Sequence, residues 1–269
     1  MTNAIKFMFC VTLFSSLCAC TSREQQADQR LADQSILAVN WMQQSAEYQA
    51  IALQTFKFAT SAFQQAASKE GHSPAVIVDL DETMIDNSAY QAWAAQQQLP
   101  FTDATWSQWT QAKQALAIPG AVDFARYVES HGGTIFYVSN RAEHDRQATA
   151  ENLLALGFPG ISAQTLLLNT SSSNKQARFD SIRAKGYQVV VYVGDNLNDF
   201  GQATWHKDNS QRRNFVTQNS EKFGTEYFIL PNPSYGDWES GLRRDYSKMT
   251  PSAKLQAREQ ALRVWKRTP

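Results

Sequence analysis

Ala75-Val76-Ile77-Val78-Asp79-Leu80-Asp81-Glu82-Thr83 is the stretch that decides the fold. Four apolar residues in a row, three of them branched or small enough to pack flat, fit a strand buried on both faces, the form that strands of a parallel sheet take. Similar runs recur at 134–138, 189–193 and 227–230, with a weaker one at 166–168. Helical patterning separates them, at 122–130, 146–156 and 175–185. Strand and helix in alternation predict an α/β fold, a parallel sheet with helices on both faces. No internal repeat interrupts it.

Three of these strands end on polar clusters: Asp79-Leu80-Asp81-Glu82-Thr83, Ser139-Asn140-Arg141 and Gly194-Asp195-Asn196-Leu197-Asn198-Asp199. The carboxyl ends of parallel strands share one crevice, so the clusters should converge there. Alone, an Asp-x-Asp pair is more often a turn or helix cap, and Gly-Asp-Asn an ordinary turn. Together they place four carboxylates, Asp79, Asp81, Asp195 and Asp199, in one crevice. Mutual repulsion would raise their pKa values unless a cation neutralises them. Hard oxygen donors suit Mg²⁺, one divalent ion per chain.

The first cluster resembles the first motif of the haloacid dehalogenase superfamily, and Gly194-Asp195-Asn196-Leu197-Asn198-Asp199-Phe200 resembles its fourth. The pair, with an aromatic-rich insert between Asn87 and Ile118, is similar to the class C acid phosphatases, the family of the bacterial lipoprotein e enzymes. That resemblance implies a haloacid dehalogenase-like Rossmannoid sheet with a small helical cap, over residues 35–269. The core would occupy about 72–86 and 119–246, and the cap about 87–118, helped by N- and C-terminal helices. It implies a metal-dependent acid phosphatase acting on small phosphomonoesters: nucleoside monophosphates, nicotinamide mononucleotide or aryl phosphates. Asp79 would be the nucleophile that becomes an aspartyl-phosphate. Asp81 would be the general acid and then the base, its backbone carbonyl also meeting the metal. Asp79 and Asp195 would be carboxylate ligands, with Asp199 in support. Ser139, Asn140 and Lys175 would face the phosphate. Lys175 follows a polar loop without a sharp motif, and Lys185 is its fallback. Trp106 and Tyr235 occupy the positions that sandwich an aromatic leaving group in this family, where stacking contributes about 1–3 kcal/mol per base. Trp93, Trp109 and Trp238 read as packing. His72, His131, His144 and His206 are scattered without metal-ligand spacing.

Residues 35–68 lack Pro and Gly, and carry apolar residues at helical spacings, Ile51, Leu53, Phe56, Phe58 and Phe63 among them. They predict one or two helices. The tail from Ser247 predicts another, docking through Leu255, Leu262, Val264 and Trp265.

Lys6 followed by an apolar run at 7–17 is too short to span a bilayer as a stable helix. It ends in Leu17-Cys18-Ala19-Cys20, which resembles a bacterial lipobox. The expectation is a signal peptide over 1–19, acylation at Cys20, a polar tether over 20–34, and a lipid-anchored place at the bacterial outer membrane. All three cysteines lie in this segment, which leaves none for a disulfide in the mature chain. The 25 acidic and 25 basic residues balance, so no electrostatic footprint for a nucleic acid polymer exists. A homodimer is left open. Two other functions stay open as well: a surface ligand-binding lipoprotein (haem carrier or adhesin) with a vestigial site, and a phosphotransferase on the same core.

Overall fold

Val76, Ile77 and Val78 are almost wholly buried, because β1 (Ser73–Val78) is the central strand and both its faces are covered. The computed structural model describes residues 23–66 and 73–267 in full, and 2–22 and 67 as backbone. Among the described residues the main sheet has five parallel strands in the order β5-β4-β1-β6-β7. The others are β4 (Thr134–Ala142), β5 (Leu166–Asn169), β6 (Tyr187–Gly194) and β7 (Tyr227–Ile229). The chain leaves β1 for β4 on one side and returns to β6 on the other, so a topological switch point lies at the carboxyl end of β1.

One face carries α2 (Ala46–Ala67) and α5 (Ala121–Ser130). Tyr48, Ala52, Phe56, Ala59 and Phe63 recur at helical spacing and are buried, Phe56 against Phe124 of α5. A phenylalanine such as Phe56 or Phe63 contributes about 1.5–3 kcal/mol on burial. Ile51, Leu53 and Phe58 point outward instead. The opposite face is built on α7 (Gln176–Ala184), whose Phe179 and Ile182 pack under Phe136 and Tyr192. Flanking these are α6 (Arg146–Leu156), α8 (Asn209–Gln218) and the short α9 (Asp237–Ser240).

A two-stranded antiparallel pair, β2 (Ile85–Asp86) and β3 (Leu116–Ala117), forms the base of an insert holding α3 (Ser88–Gln97) and α4 (Asp103–Ala112). Tyr90, Phe101 and Trp106 make its small aromatic centre, with the Tyr90 and Trp106 rings 5.1 Å apart, edge to face. Asp145, buried at the start of α6, accepts 2.7 Å hydrogen bonds from Ser107 and Gln111 and so ties α4 to the core.

Two expectations for the ends change. The first helix, α1 (Thr2–Gln44), breaks only at Ser45, whose hydroxyl caps α2 by accepting from the Tyr48 N–H at 3.0 Å. From residue 23 the stretch expected as a tether is helix, packed on α10 (Pro251–Gln260). Its polar residues form that interface: Glu24 accepts from the Ser252 N–H at 3.0 Å, Arg30 meets Glu259, Arg258 reaches Gln34, and Ala27 is buried between them. In the tail, Leu255 is buried, but Leu262, Val264 and Trp265 are 68%, 74% and 82% exposed. The predicted docking face fails there because α10 ends at Gln260, before these residues come round to α1. Cys20, the signal segment 1–19 and His72 lie outside the residues whose side chains are described.

Candidate active site

Asp79 leaves the end of β1 with its N–H still bonded to the Val193 carbonyl at 3.0 Å, so the sheet itself fixes the backbone of this residue. Lys175, at the mouth of α7, sends its buried ammonium to Asp79 Oδ1 and, at 2.7 Å, to Asp199 Oδ1. Asp79 Oδ2 takes no hydrogen bond from the described residues, and Asp79 lines a cavity of about 410 Å³. Asp199 Oδ2 accepts from the Asn196 N–H at 2.9 Å, which holds the turn after β6 closed. Gly194 makes this possible: a Cβ there would lie 2.3 Å from the Asp199 Cβ.

Asp195 accepts from Thr83 Oγ1 at 3.3 Å and Asn232 Nδ2 at 2.8 Å, and has no ion pair among the described residues. Oxygens of Asp79, Asp195 and Asp199 lie within 4.8 Å of one another. Burial, with Lys175 opposing and Asp199 and Asp81 adding, pushes the Asp79 carboxyl up to about 7. Burial and the neighbouring Asp199 and Asp79 hold Asp195 well above the usual carboxylate range. Burial would lower Lys175, but Asp199 and Asp79 together keep it above its ordinary value. A carboxyl cluster of all-oxygen donors, short of positive charge, fits a hard divalent cation.

Asp81 sits in a second network. Its Oδ1 accepts from Arg141 Nε at 2.9 Å and from Asn87 Nδ2 at 3.0 Å, and its Oδ2 from Ser139 Oγ at 3.3 Å. Arg141 is fully buried and also donates to Asn87 Oδ1 at 3.1 Å, while its guanidinium stands 5.6 Å from the Trp106 ring centroid. Trp109 Nε1 donates to Asn87 Oδ1 at 2.8 Å, so this residue, expected to be packing, helps orient Asn87.

The expected residues divide as follows. Asp79, Asp81, Asn140, Lys175, Asp195, Asp199, Trp106 and Tyr235 all line the one cavity. Ser139 is buried beneath it, its hydroxyl spent on Asp81, and Asn140 accepts from Arg178 at 2.6 Å. Lys185 is exposed and remote from the carboxylates. Trp93 and Trp238 are each about two-fifths exposed; Trp238 donates to the carbonyls of Asn232 and Tyr235, pinning that loop. His206 lines the cavity rim beside Trp205, whereas His131 bonds its own helix and His144 is a surface partner of Asp145. Sequence reasoning missed Arg141, Asn87, Glu82, Asn232 and Trp205. Only Arg141 carried a signal, a charge ending a buried strand next to carboxylates.

A parallel sheet that gathers an Asp-x-Asp pair, a buried lysine and two further aspartates at its switch point, under a helical insert, is the architecture of a haloacid dehalogenase-type phosphatase. The family model for the HAD superfamily, subfamily IIIB (acid phosphatase), matches residues 12–238. The class C acid phosphatase from Bacillus anthracis superposes with a TM-score of 0.82 at 33% identity, covering 88% of this chain and 99% of that one. Its tungstate-bound structure superposes at 0.83 with 32% identity, covering 87% and 99%. Acid phosphatase 1 of Solanum lycopersicum is 26% identical over 46% of this chain, and the stem 31 kDa glycoprotein of Glycine max 24% over 65%. The chain spans 50% and 64% of those two curated relatives. It belongs to the HAD superfamily, subfamily IIIB, the acid phosphatases.

Proposed function

We propose that the chain hydrolyses small phosphomonoesters through an aspartyl-phosphate on Asp79, with Asp81 moving the proton. The observation that carries this is the pairing of a buried lysine with Asp79 Oδ1 at a residue that lines the cavity. One oxygen is anchored, and the other, without a hydrogen bond from the described residues, would attack. Asp79 Oδ2 attacks phosphorus, the ester P–O bond breaks, and the leaving oxygen takes its proton from Asp81. Water then attacks the phosphoryl-aspartate, gives a proton back to Asp81, and releases phosphate with Asp79 restored. Arg141, Asn87 and Ser139 fix the Asp81 carboxyl beside the nucleophile, two residues along the chain. Lys175 stabilises charge that builds on the transferring group, the main catalytic demand of phosphoryl transfer.

Asp79, Asp195 and Asp199 would hold a divalent cation, Mg²⁺ by its preference for oxygen, and by the family resemblance the Asp81 carbonyl would join them. Bound there, the ion would neutralise the carboxylates and the phosphoryl oxygens. The tungstate in the Bacillus anthracis relative, a tetrahedral oxyanion, supports a phosphate-shaped site. Trp106 and Tyr235 at the cavity favour esters with aromatic leaving groups, nucleoside monophosphates, nicotinamide mononucleotide and aryl phosphates among them.

The Leu-Cys-Ala-Cys segment supports acylation of Cys20 and attachment at the outer membrane. Among the described residues no helix is long and apolar enough to cross a membrane. The decisive assay is a panel of nucleotide, aryl, sugar and glycerol phosphates with and without EDTA. Turnover lost in EDTA and restored by Mg²⁺ is expected; activity indifferent to chelation would remove the metal from the reading. Added alcohol that diverts phosphate into a new ester would move the assignment to phosphotransfer.

A further inference from the structure

Glu82 is wholly buried in the turn directly after Asp81, and its backbone is left-handed, φ +58°, a region disfavoured for any residue with a side chain. The phosphoryl chemistry derived above makes no use of it. Its two carboxylate oxygens nonetheless have distinct partners. Oε1 accepts from the Asn87 N–H at 2.8 Å, where the cap begins. Oε2 accepts from the hydroxyl of Tyr235, 153 residues away.

Tyr235 belongs to the loop that follows β7, and Asn232 ties that loop to the carboxylate cluster: it donates to Asp195, and accepts the Tyr235 N–H at 3.3 Å. Trp238 holds the Tyr235 carbonyl at 3.1 Å from outside. Tyr235 lines the cavity, and the far end of its ring is fixed by the hydroxyl on Glu82. Through Asn87, which donates to Asp81 and accepts from Arg141 and Trp109, the same carboxylate touches the proton-transfer network and the cap.

We propose that Glu82 is a positioning residue for leaving-group selection: it fixes the Tyr235 ring against the cavity and sets that wall in register with Asp81 and the cap. The inference rests on the functional reading above, since it supposes that the leaving group sits in this cavity. The substrates it favours are phosphomonoesters whose alcohol carries a planar aromatic ring. Small aliphatic esters, which do not need the wall, should depend on it less.

The test compares p-nitrophenyl phosphate and a nucleoside monophosphate with glycerol 2-phosphate in four chains carrying Tyr235→Phe, Glu82→Ala, both, or Glu82→Gln. Tyr235→Phe should lower the ratio of aromatic to aliphatic kcat/KM by about three- to tenfold, the worth of one hydrogen bond between uncharged groups. The loss should fall mainly in KM, and inhibition by inorganic phosphate should stay within about twofold. Glu82→Ala should move the ratio in the same direction, and the double variant no further than the larger single effect. Glu82→Gln, which can still bond both partners, should recover most of the ratio. An unchanged ratio in Tyr235→Phe overturns the proposal, as do multiplicative effects in the double variant or an equal loss of phosphate inhibition. If Glu82→Ala fails to fold, Tyr235→Phe and Glu82→Gln decide by the same ratio. A wild-type chain that turns over none of the three esters sinks the functional reading and this inference together; an active wild type with an unmoved ratio sinks the inference alone.

Discussion

Replacing Lys175 with Met keeps the length of the side chain and removes only the ammonium. That ammonium is buried and bridges Asp79 and Asp199, so its loss leaves carboxylates within 4.8 Å of one another with no cation of their own. Removing one partner of a buried ion pair costs about 3–5 kcal/mol of stability. Mg²⁺ at about a hundred times its Kd adds about 2.7 kcal/mol by mass action to the variant and the wild type alike, so the variant's melt should rise in metal while the gap to the wild type stays. Catalysis should not recover in parallel. Lys175 reaches Asp79, the proposed nucleophile, directly, and deleting one preorganised group that stabilises developing charge costs about 10²–10³ in kcat. The assay is kcat and KM on p-nitrophenyl phosphate in saturating Mg²⁺, beside a thermal melt with and without EDTA. Lys185→Met, at an exposed position, serves as the control. A folded Lys175→Met chain within about tenfold of the wild-type kcat would refute the assignment.

Asp79→Asn should abolish turnover while the folded chain still binds phosphate in an inhibition or calorimetric titration; substantial turnover would remove the aspartyl-phosphate. Asp79 and Glu82 have carboxyls raised by burial to about 7 and about 8 from 3.8 and 4.5. The metal-free native state therefore keeps protons that the unfolded chain releases, and its stability should fall as pH rises through that window. Melts in EDTA between pH 5 and 8 check this, and Asp79→Asn should flatten the slope; a wild-type melting temperature that climbs over this range contradicts the shifts. Cys20→Ser should move the protein from the membrane pellet to the soluble fraction, and unchanged pelleting would exclude the lipid anchor.

The sheet was legible because parallel strands must be apolar on both faces, and runs such as 75–78 and 189–193 have few other uses. Asp79 and Asp195 were legible for the same reason, since a strand's end fixes where its next residue points, and Asp199 followed from the turn after β6 that holds it beside them. Lys175 was harder. It precedes a helix after an irregular loop, and only the closed fold brings it to Asp79, 96 residues away. Asn87 and Asn232 could not be read at all, because an asparagine in a turn looks the same whether or not it reaches a buried carboxylate. At the ends, polarity misled. Arg30 and Gln34 read as a solvated tether, yet they are the groups that meet Glu259 and Arg258 on α10. On the α1 side this interface is one ion pair, a few hydrogen bonds and one small buried residue, Ala27, which carry no hydrophobic signature.

The site's hydrogen bonds fall into two halves that share little besides the cavity. Lys175 serves Asp79 and Asp199, on the side where phosphorus would be transferred. Arg141 serves Asp81 and Asn87, on the side where the proton would move. The insert's polar and ring contacts with these groups run to the second half: Trp106 stands by Arg141 and Trp109 bonds Asn87, while Ser107 and Gln111 hold Asp145 nearby. Glu82 joins that half to the Tyr235 wall. Of the five carboxyl groups Asp79, Asp81, Glu82, Asp195 and Asp199, three meet a buried cation: Asp79 and Asp199 meet Lys175, and Asp81 meets Arg141. Of the two without one, Glu82 bonds the Tyr235 wall, and Asp195 lies on the phosphorus side, where a divalent ion would sit. Changes in the cap should accordingly alter which alcohol departs and how readily it is protonated, and leave the handling of the phosphoryl group to the sheet. Loop variation in the insert can then retune the choice of ester without disturbing the carboxylates that the strands hold.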